Sequence, residues 1–147
     1  MGLPTICILE DDPERTNAFR EALAGLSFEV VAVDNAPDMI EWLGAGMTRT
    51  VLICLDHDLG PSRARDDMRF EPGSGRDVVD WLATHPARCP VVVHSANGMA
   101  VPGMLLVLEQ AGWSASRVFP TGGVDWIAES WAPAVFEALG ISGSDLR

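Results

Sequence analysis

Val51–Gly60 reads VLICLDHDLG. Its first five residues are apolar without a break, the pattern of a strand buried on both faces of a parallel sheet. The chain then turns directly to Asp56-His57-Asp58, three titratable side chains at the carboxyl end of that strand. A strand covered on both sides needs helices on both sides, and the flanking sequence has to supply them.

It does so in both directions. Thr5–Leu9 (TICIL) is a second buried strand and runs into Glu10-Asp11-Asp12. Asp12-Pro13 is a helix start, an acid at the N-cap and proline at the first helical position, and Ala18, Phe19, Ala22, Leu23 and Leu26 follow at helical spacing. Phe28–Val33 reads as a strand and Pro37–Leu43 as a short helix presenting Met39, Ile40 and Leu43. Beyond Gly60 comes a long polar loop over about 60–75, then a helix from about Arg76 to Ala83 with Val78, Val79 and Leu82 inward. Pro90–His94 (PVVVH) is a fourth strand and ends in His94-Ser95-Ala96-Asn97. Pro102–Ala111 is a helix closed by Gly112, Arg117–Phe119 a short fifth strand, and Val124–Leu139 a last helix. Trp126, Ile127, Trp131, Val135 and Leu139 are its candidate core residues, and the tail 142–147 reads as frayed.

Strict alternation of strand and helix implies an α/β, doubly wound five-stranded parallel sheet of flavodoxin-like order 2-1-3-4-5, helices on both faces, in a single domain spanning 1–147. Such sheets bind ligands outside the carboxyl ends of their strands, near the point where strand order reverses. Strands one, three and four are neighbours there, so three polar clusters converge. Carboxylates that close repel one another and lose solvation, which a divalent cation or raised pKa values would offset. Oxygen ligands suit Mg²⁺ or Mn²⁺, and the histidines make Mn²⁺ or, less readily, Zn²⁺ admissible.

Composition narrows the chemistry. The 147 residues are 48% apolar and carry a net charge of −11, and all ten bases are arginine. Without lysine, Schiff-base chemistry and lysine-assisted phosphate loops are excluded. The acidic balance disfavours unassisted binding to a nucleic-acid backbone, and no sequence-specific DNA binding is expected. A bound cation would reverse that locally. Cys7, Cys54 and Cys89 lack metal-ligand spacing and read as small buried thiols, with the odd count favouring a reducing compartment. No signal peptide and no membrane-spanning run is evident, so a cytoplasmic location is expected.

With these residues in place, the chain resembles the receiver domains of two-component response regulators across residues 5–139. ILEDDPE is similar to their acidic-pair motif, LDHDLG to the phosphoacceptor motif, PVVVHSA to strand four with its hydroxyl end, and GWSASRVFP to the segment that ends in Lys-Pro. The resemblance implies a metal site of Glu10, Asp11 and Asp56, with Asp58 at the position that lends a backbone carbonyl. It implies Asp56 as phosphoacceptor and Ser95 as the hydroxyl on the phosphoryl group. The departures are specific. Phe119 stands at the lysine position, Ser116 at the aromatic switch position, and the family's glycine arrives late, at Gly75. Asp56-His57-Asp58 and His94-Ser95-Ala96-Asn97 are similar to signatures of a receiver subfamily that processes cyclic phosphates in RNA-end or nucleotide repair.

Three functional readings stay open at this stage. The first is a metal-dependent phosphoesterase on a cyclic phosphate. Its metal ligands would be Glu10, Asp11, Asp56 and Asp58, with Asp56, His57, His94 and Ser95 catalytic. Ser95, Asn97 and Arg76 would grip the phosphate, helped by Arg63, Arg65 or Arg69 if the loop forms a lid. Its partner would be a phosphate-containing small molecule or an RNA end. The second is a stand-alone receiver phosphorylated on Asp56 that docks a signalling partner protein. The third is a degenerate receiver that serves only as an interaction module.

Overall fold

Thr5–Leu9 (β1) lies between Glu29–Val33 (β2) and Thr50–Leu55 (β3), and Val91–His94 (β4) and Ala115–Val118 (β5) complete a sheet of order β2-β1-β3-β4-β5. All four pairings are parallel. The structure is a computed structural model that describes residues 2–65 and 67–142. The expected frayed tail from 143 onward and Asp66 of the long loop lie outside those residues.

The core follows from strand parity, because successive side chains point to opposite faces. Cys7, Leu9, Ile53, Leu55, Val91 and Val93 face one layer of helices: Ala36–Gly46 (α2), Gly75–Leu82 (α3) and Val101–Gln110 (α4). Ile6, Ile8, Leu52, Cys54 and Val92 face the other, built from Pro13–Leu23 (α1) and the C-terminal helix. Asp12 caps α1 as its sequence implies, accepting the Glu14 N–H at 2.9 Å. Cys7 and Cys54 are buried free thiols and Cys89 is half-buried and free.

Most boundaries fall within a residue of the sequence expectation, and three elements differ from it more. Helix α2 is longer than Pro37–Leu43, because Asn35 caps it through the Asp38 N–H at 2.8 Å and burial of Gly46 extends its apolar stripe. Strand β5 begins two residues earlier than Arg117 and stops before Phe119, which is 54% exposed. The last helix is not uniform. Ile127–Trp131 is a π-helical stretch, and Ala132–Leu139 (α5) continues from it. Pro133 has no N–H to give the carbonyl four residues back and its ring crowds that carbonyl. The Ala132 N–H instead donates to Ile127, five residues back. Trp126 and Trp131 would sit about 140° apart on a regular α-helix. The wider turn brings both indoles onto Phe19, with ring centroids at 5.9 and 4.4 Å.

The long loop is tied to the sheet rather than freely solvated. Asp34, just beyond β2, accepts the Ser62 hydroxyl at 2.6 Å and the Arg63 and Ala64 N–H groups at 2.6 and 3.3 Å. Arg65 pairs with Asp38. The Pro72 carbonyl accepts the Ala36 N–H at 2.8 Å, and the Gly60 N–H donates to Asp11 at 2.7 Å.

Candidate functional site

Backbone pairing continues past the strand ends and brings the acids together. The Glu10 N–H donates to Val33 at 3.0 Å and the Asp56 N–H to Leu9 at 3.1 Å. Glu10 is 2% and Asp56 5% exposed. One Glu10 oxygen, Oε2, accepts the Asp11 and Asp12 N–H groups at 3.0 and 3.1 Å. Asp56 Oδ1 accepts the His57 N–H at 2.7 Å.

His94 has the parity of Val92, so its ring enters the α1 and α5 layer. It lies edge-on to Phe19 at 5.0 Å and stacked on Trp126 at 6.2 Å, with no solvent exposure. Its Nε2 is 3.2 Å from Glu10 Oε1, a close approach without hydrogen-bond alignment. Glu10 Oε1 and both His94 nitrogens are buried without a hydrogen-bond partner. Three buried unpaired polar atoms are a costly arrangement unless another group completes it.

Burial sets the protonation states. It pushes Glu10 up to about 7 and, with the Glu10 charge adding, Asp56 up to about 7. It pulls His94 down to about 4, against the opposing charge of Asp56. One ligand atom each from Glu10, Asp56 and His94 lies within 4.8 Å of the others. Two carboxylates and a neutral imidazole make a donor set that accepts a divalent ion, and the orphaned Glu10 and His94 atoms fit one. The imidazole favours Mn²⁺ over Mg²⁺.

The other expected site residues are placed as follows. Asp11 borders the cluster, with one oxygen engaged by Gly60. Asp58 stands away from it, exposed, with Oδ1 2.8 Å from His57 Nδ1 and both oxygens accepting from Asn97 Nδ2 at 3.2 Å. Asn97 also accepts the Met99 and Ala100 N–H groups, which ties this pair to the start of α4. Ser95 is buried, its hydroxyl oxygen accepting the Asn97 N–H at 3.1 Å. Asp11, Asp12, Asp56, Asp58 and Ser95 line an open cleft of about 350 Å³. Arg76 is not brought there: it pairs with Asp80 on the outer face of α3 at 2.8 Å. Among the loop arginines, Arg65 is spent on Asp38 and Arg69 on Asp67. Arg63 lines an adjoining hollow of about 400 Å³ with Glu10, Asp34 and Asp38.

Two arginines escaped the sequence reading. Arg15, in the first turn of α1, has its guanidinium 3.6 Å from Glu10 and 4.0 Å from Asp56 and lines the cleft. The signal was available: Pro13 fixes where the helix starts and therefore sets Arg15 above the strand-end acids. Arg117 of β5 donates to the Ser95 carbonyl at 3.0 and 3.3 Å and lies over the Phe119 ring at 5.1 Å, which holds the end of β4 in place. Nothing short of the sheet register, Val93 beside Arg117, would have revealed it.

Comparison with known proteins agrees with this fold. A family model described as the cyclic-phosphate processing receiver domain matches residues 6–110. Solved structures with the same fold include the phosphorylated cyanobacterial phytochrome response regulator RcpA, at 21% identity over 93% of each chain with a TM-score of 0.64. A response regulator receiver domain from Rhodospirillum rubrum matches at 19% identity over 92% of each chain with a TM-score of 0.58. The Mn²⁺-bound form of response regulator Rcp1 matches at 15% identity over 91% of this chain and 92% of its own, with a TM-score of 0.63. No curated protein matches.

Proposed function

Because the chain belongs to the cyclic-phosphate processing receiver domain family, we propose that its strand-end cluster binds a divalent cation and opens the ring of a cyclic phosphate ester by hydrolysis. The observation that carries the reading is the buried trio of Glu10, Asp56 and His94, three donors within 4.8 Å of one another. Unpaired buried atoms on Glu10 and His94 are what a structural turn would avoid and a metal site requires. When bound, Mn²⁺ or Mg²⁺ neutralises charge on the phosphoryl oxygens.

The remaining work falls to side chains of this chain. His57 is held by Asp58 on one ring nitrogen, the orienting arrangement of a general base, and takes a proton from the attacking water. Water oxygen bonds to phosphorus, one ribose oxygen–phosphorus bond breaks, and that oxygen leaves with a proton returned from the imidazolium. Ser95, at the cleft floor, contacts a phosphoryl oxygen. His94 is fully enclosed and neutral, so it serves as a ligand rather than as the base.

The test is incubation with Mn²⁺ or Mg²⁺ and a panel of 2′,3′-cyclic nucleotides. Ring opening that His57→Ala and Asp56→Asn abolish supports the reading. Absence of turnover with either metal, together with stable incorporation of phosphate from acetyl phosphate, overturns it. That second outcome would favour a receiver phosphorylated on Asp56 and docking a signalling partner. It draws support from Asp56 and Ser95 lining one cleft.

A further inference from the structure

Arg15 is the one base among the described residues that line the cleft. In a chain without lysine, any side chain that is permanently cationic at this site has to be an arginine. Its guanidinium stands 3.6 Å from Glu10 and 4.0 Å from Asp56, beyond hydrogen-bond reach of either. The carbon at its centre lies 5.5 Å from the centroid of the buried Trp126 ring, a platform that steadies the group.

Four other arginines near the strand ends and the loop are committed, and Arg63 lines the adjoining hollow rather than this cleft. Arg65 donates to Asp38, Arg76 to Asp80, Arg117 to the Ser95 carbonyl and Arg20 to the Val30 carbonyl. Arg15 donates no hydrogen bond among the described residues, and its side chain is 26% exposed. A guanidinium offers five N–H donors in a planar fork that matches phosphate oxygens. It is thus held at the cleft wall with its donors unused.

We propose that Arg15 grips the phosphoryl group of the bound ligand, supplying from α1 the permanent positive charge that no other residue lining the cleft carries. The inference rests on the phosphate-processing reading of the cleft. It adds a prediction that simple neutralisation of Glu10 and Asp56 does not make. Arg15 competes with a divalent ion for those two carboxylates, so removing it leaves metal binding intact or tighter while phosphate binding collapses.

The experiment titrates inorganic phosphate calorimetrically into the Mn²⁺-loaded chain, comparing the parent, Arg15→Gln and Arg15→Lys. Mn²⁺ alone is titrated in parallel, and thermal melts confirm folding. Arg15→Gln should weaken phosphate at least roughly tenfold, with Arg15→Lys intermediate because it keeps the charge and loses the fork. Mn²⁺ affinity should hold or rise. Three results overturn the proposal: equal phosphate affinity in parent and Arg15→Gln, no phosphate binding by the parent, or a loss of Mn²⁺ affinity by the same factor as phosphate. Hydrolysis of 2′,3′-cyclic nucleotides by the parent is measured separately. Its absence beside Arg15-dependent phosphate binding would sink the hydrolytic reading and leave this inference standing.

Discussion

Gly75, the first residue of α3, sits so close to Asp56 that a Cβ on it would lie 2.0 Å from the Asp56 carbonyl oxygen. The Gly75 N–H also donates to the His57 carbonyl at 3.0 Å. The site's central carboxylate is therefore positioned by the absence of a side chain on a residue nineteen places later, after the whole loop. Gly75→Ala must push α3 away from β3, and overpacking of this kind costs about 1–3 kcal/mol. Thermal unfolding should show the loss, and Mn²⁺ titration should show a weakened site. Gly44→Ala is the control. It lies inside α2 with open space where the methyl would go, and should gain about 0.5–1 kcal/mol.

Stability of the metal-free chain should fall as pH rises from about 4 toward 7. Glu10 and Asp56, ordinarily near 4.5 and 3.8, hold their protons to about 7 when folded. The folded chain binds more protons across that window, so the stability they contribute is present below it and lost on the way up. His94 works in the opposite sense, its stability lost as pH falls from 6.5 toward about 4. Two carboxylates outweigh one imidazole. Urea midpoints measured in chelator at several pH values should show the decline, and Glu10→Gln should flatten it. Mn²⁺ affinity should rise through the same window, because the ligands must shed protons to bind.

Asp58 and Asp56 should separate in metal titrations although both flank His57. Asp58 lies outside the buried trio, held by His57 and Asn97, and Asp56 lies within it. Asp58→Asn should leave Mn²⁺ affinity nearly unchanged and depress ring opening, whereas Asp56→Asn should cost metal affinity by roughly tenfold or more. Equal losses of metal affinity would contradict this division.

The long loop should come loose when Asp34 is removed. Its carboxylate is held below the usual range: burial pushes it up, and hydrogen bonds from Ser62, Asn35, Arg63 and Ala64 outweigh that. Hydrogen bonds to a charged group contribute about 1.5–3 kcal/mol each. Asp34→Ala should speed trypsin cleavage after Arg63 and Arg65 while the melting transition of the sheet persists. An unchanged digestion rate would mean that the Arg65–Asp38 pair and the Pro72–Ala36 bond hold the loop by themselves.

The sheet was legible because its signals are local. Apolar runs at Thr5–Leu9, Val51–Leu55 and Pro90–His94 fix β1, β3 and β4, and alternation with helical spacing fixes strand order. The convergence of Asp11, Asp56 and Ser95 on one cleft followed from that order alone. What the sequence withheld depends on direction and on pairing. Its place in the sequence suggests His94 as a cleft group, while strand parity sends its ring into the layer beneath, against Phe19 and Trp126. The loop arginines read as free phosphate ligands, but Asp38 and Asp80, remote from them in sequence or on the outer face of a helix, take up Arg65 and Arg76. The widened turn before Pro133 could not be read from periodicity, because it changes the period itself.

That widened turn also gives the site an optical reporter. Trp126, at the start of that turn, has its indole 5.5 Å from the Arg15 guanidinium and 6.2 Å from the His94 ring. Fluorescence from an indole is quenched or shifted by charges that move beside it, so occupancy of the site by a cation or an anion is written into the emission of the protein itself, without any added dye.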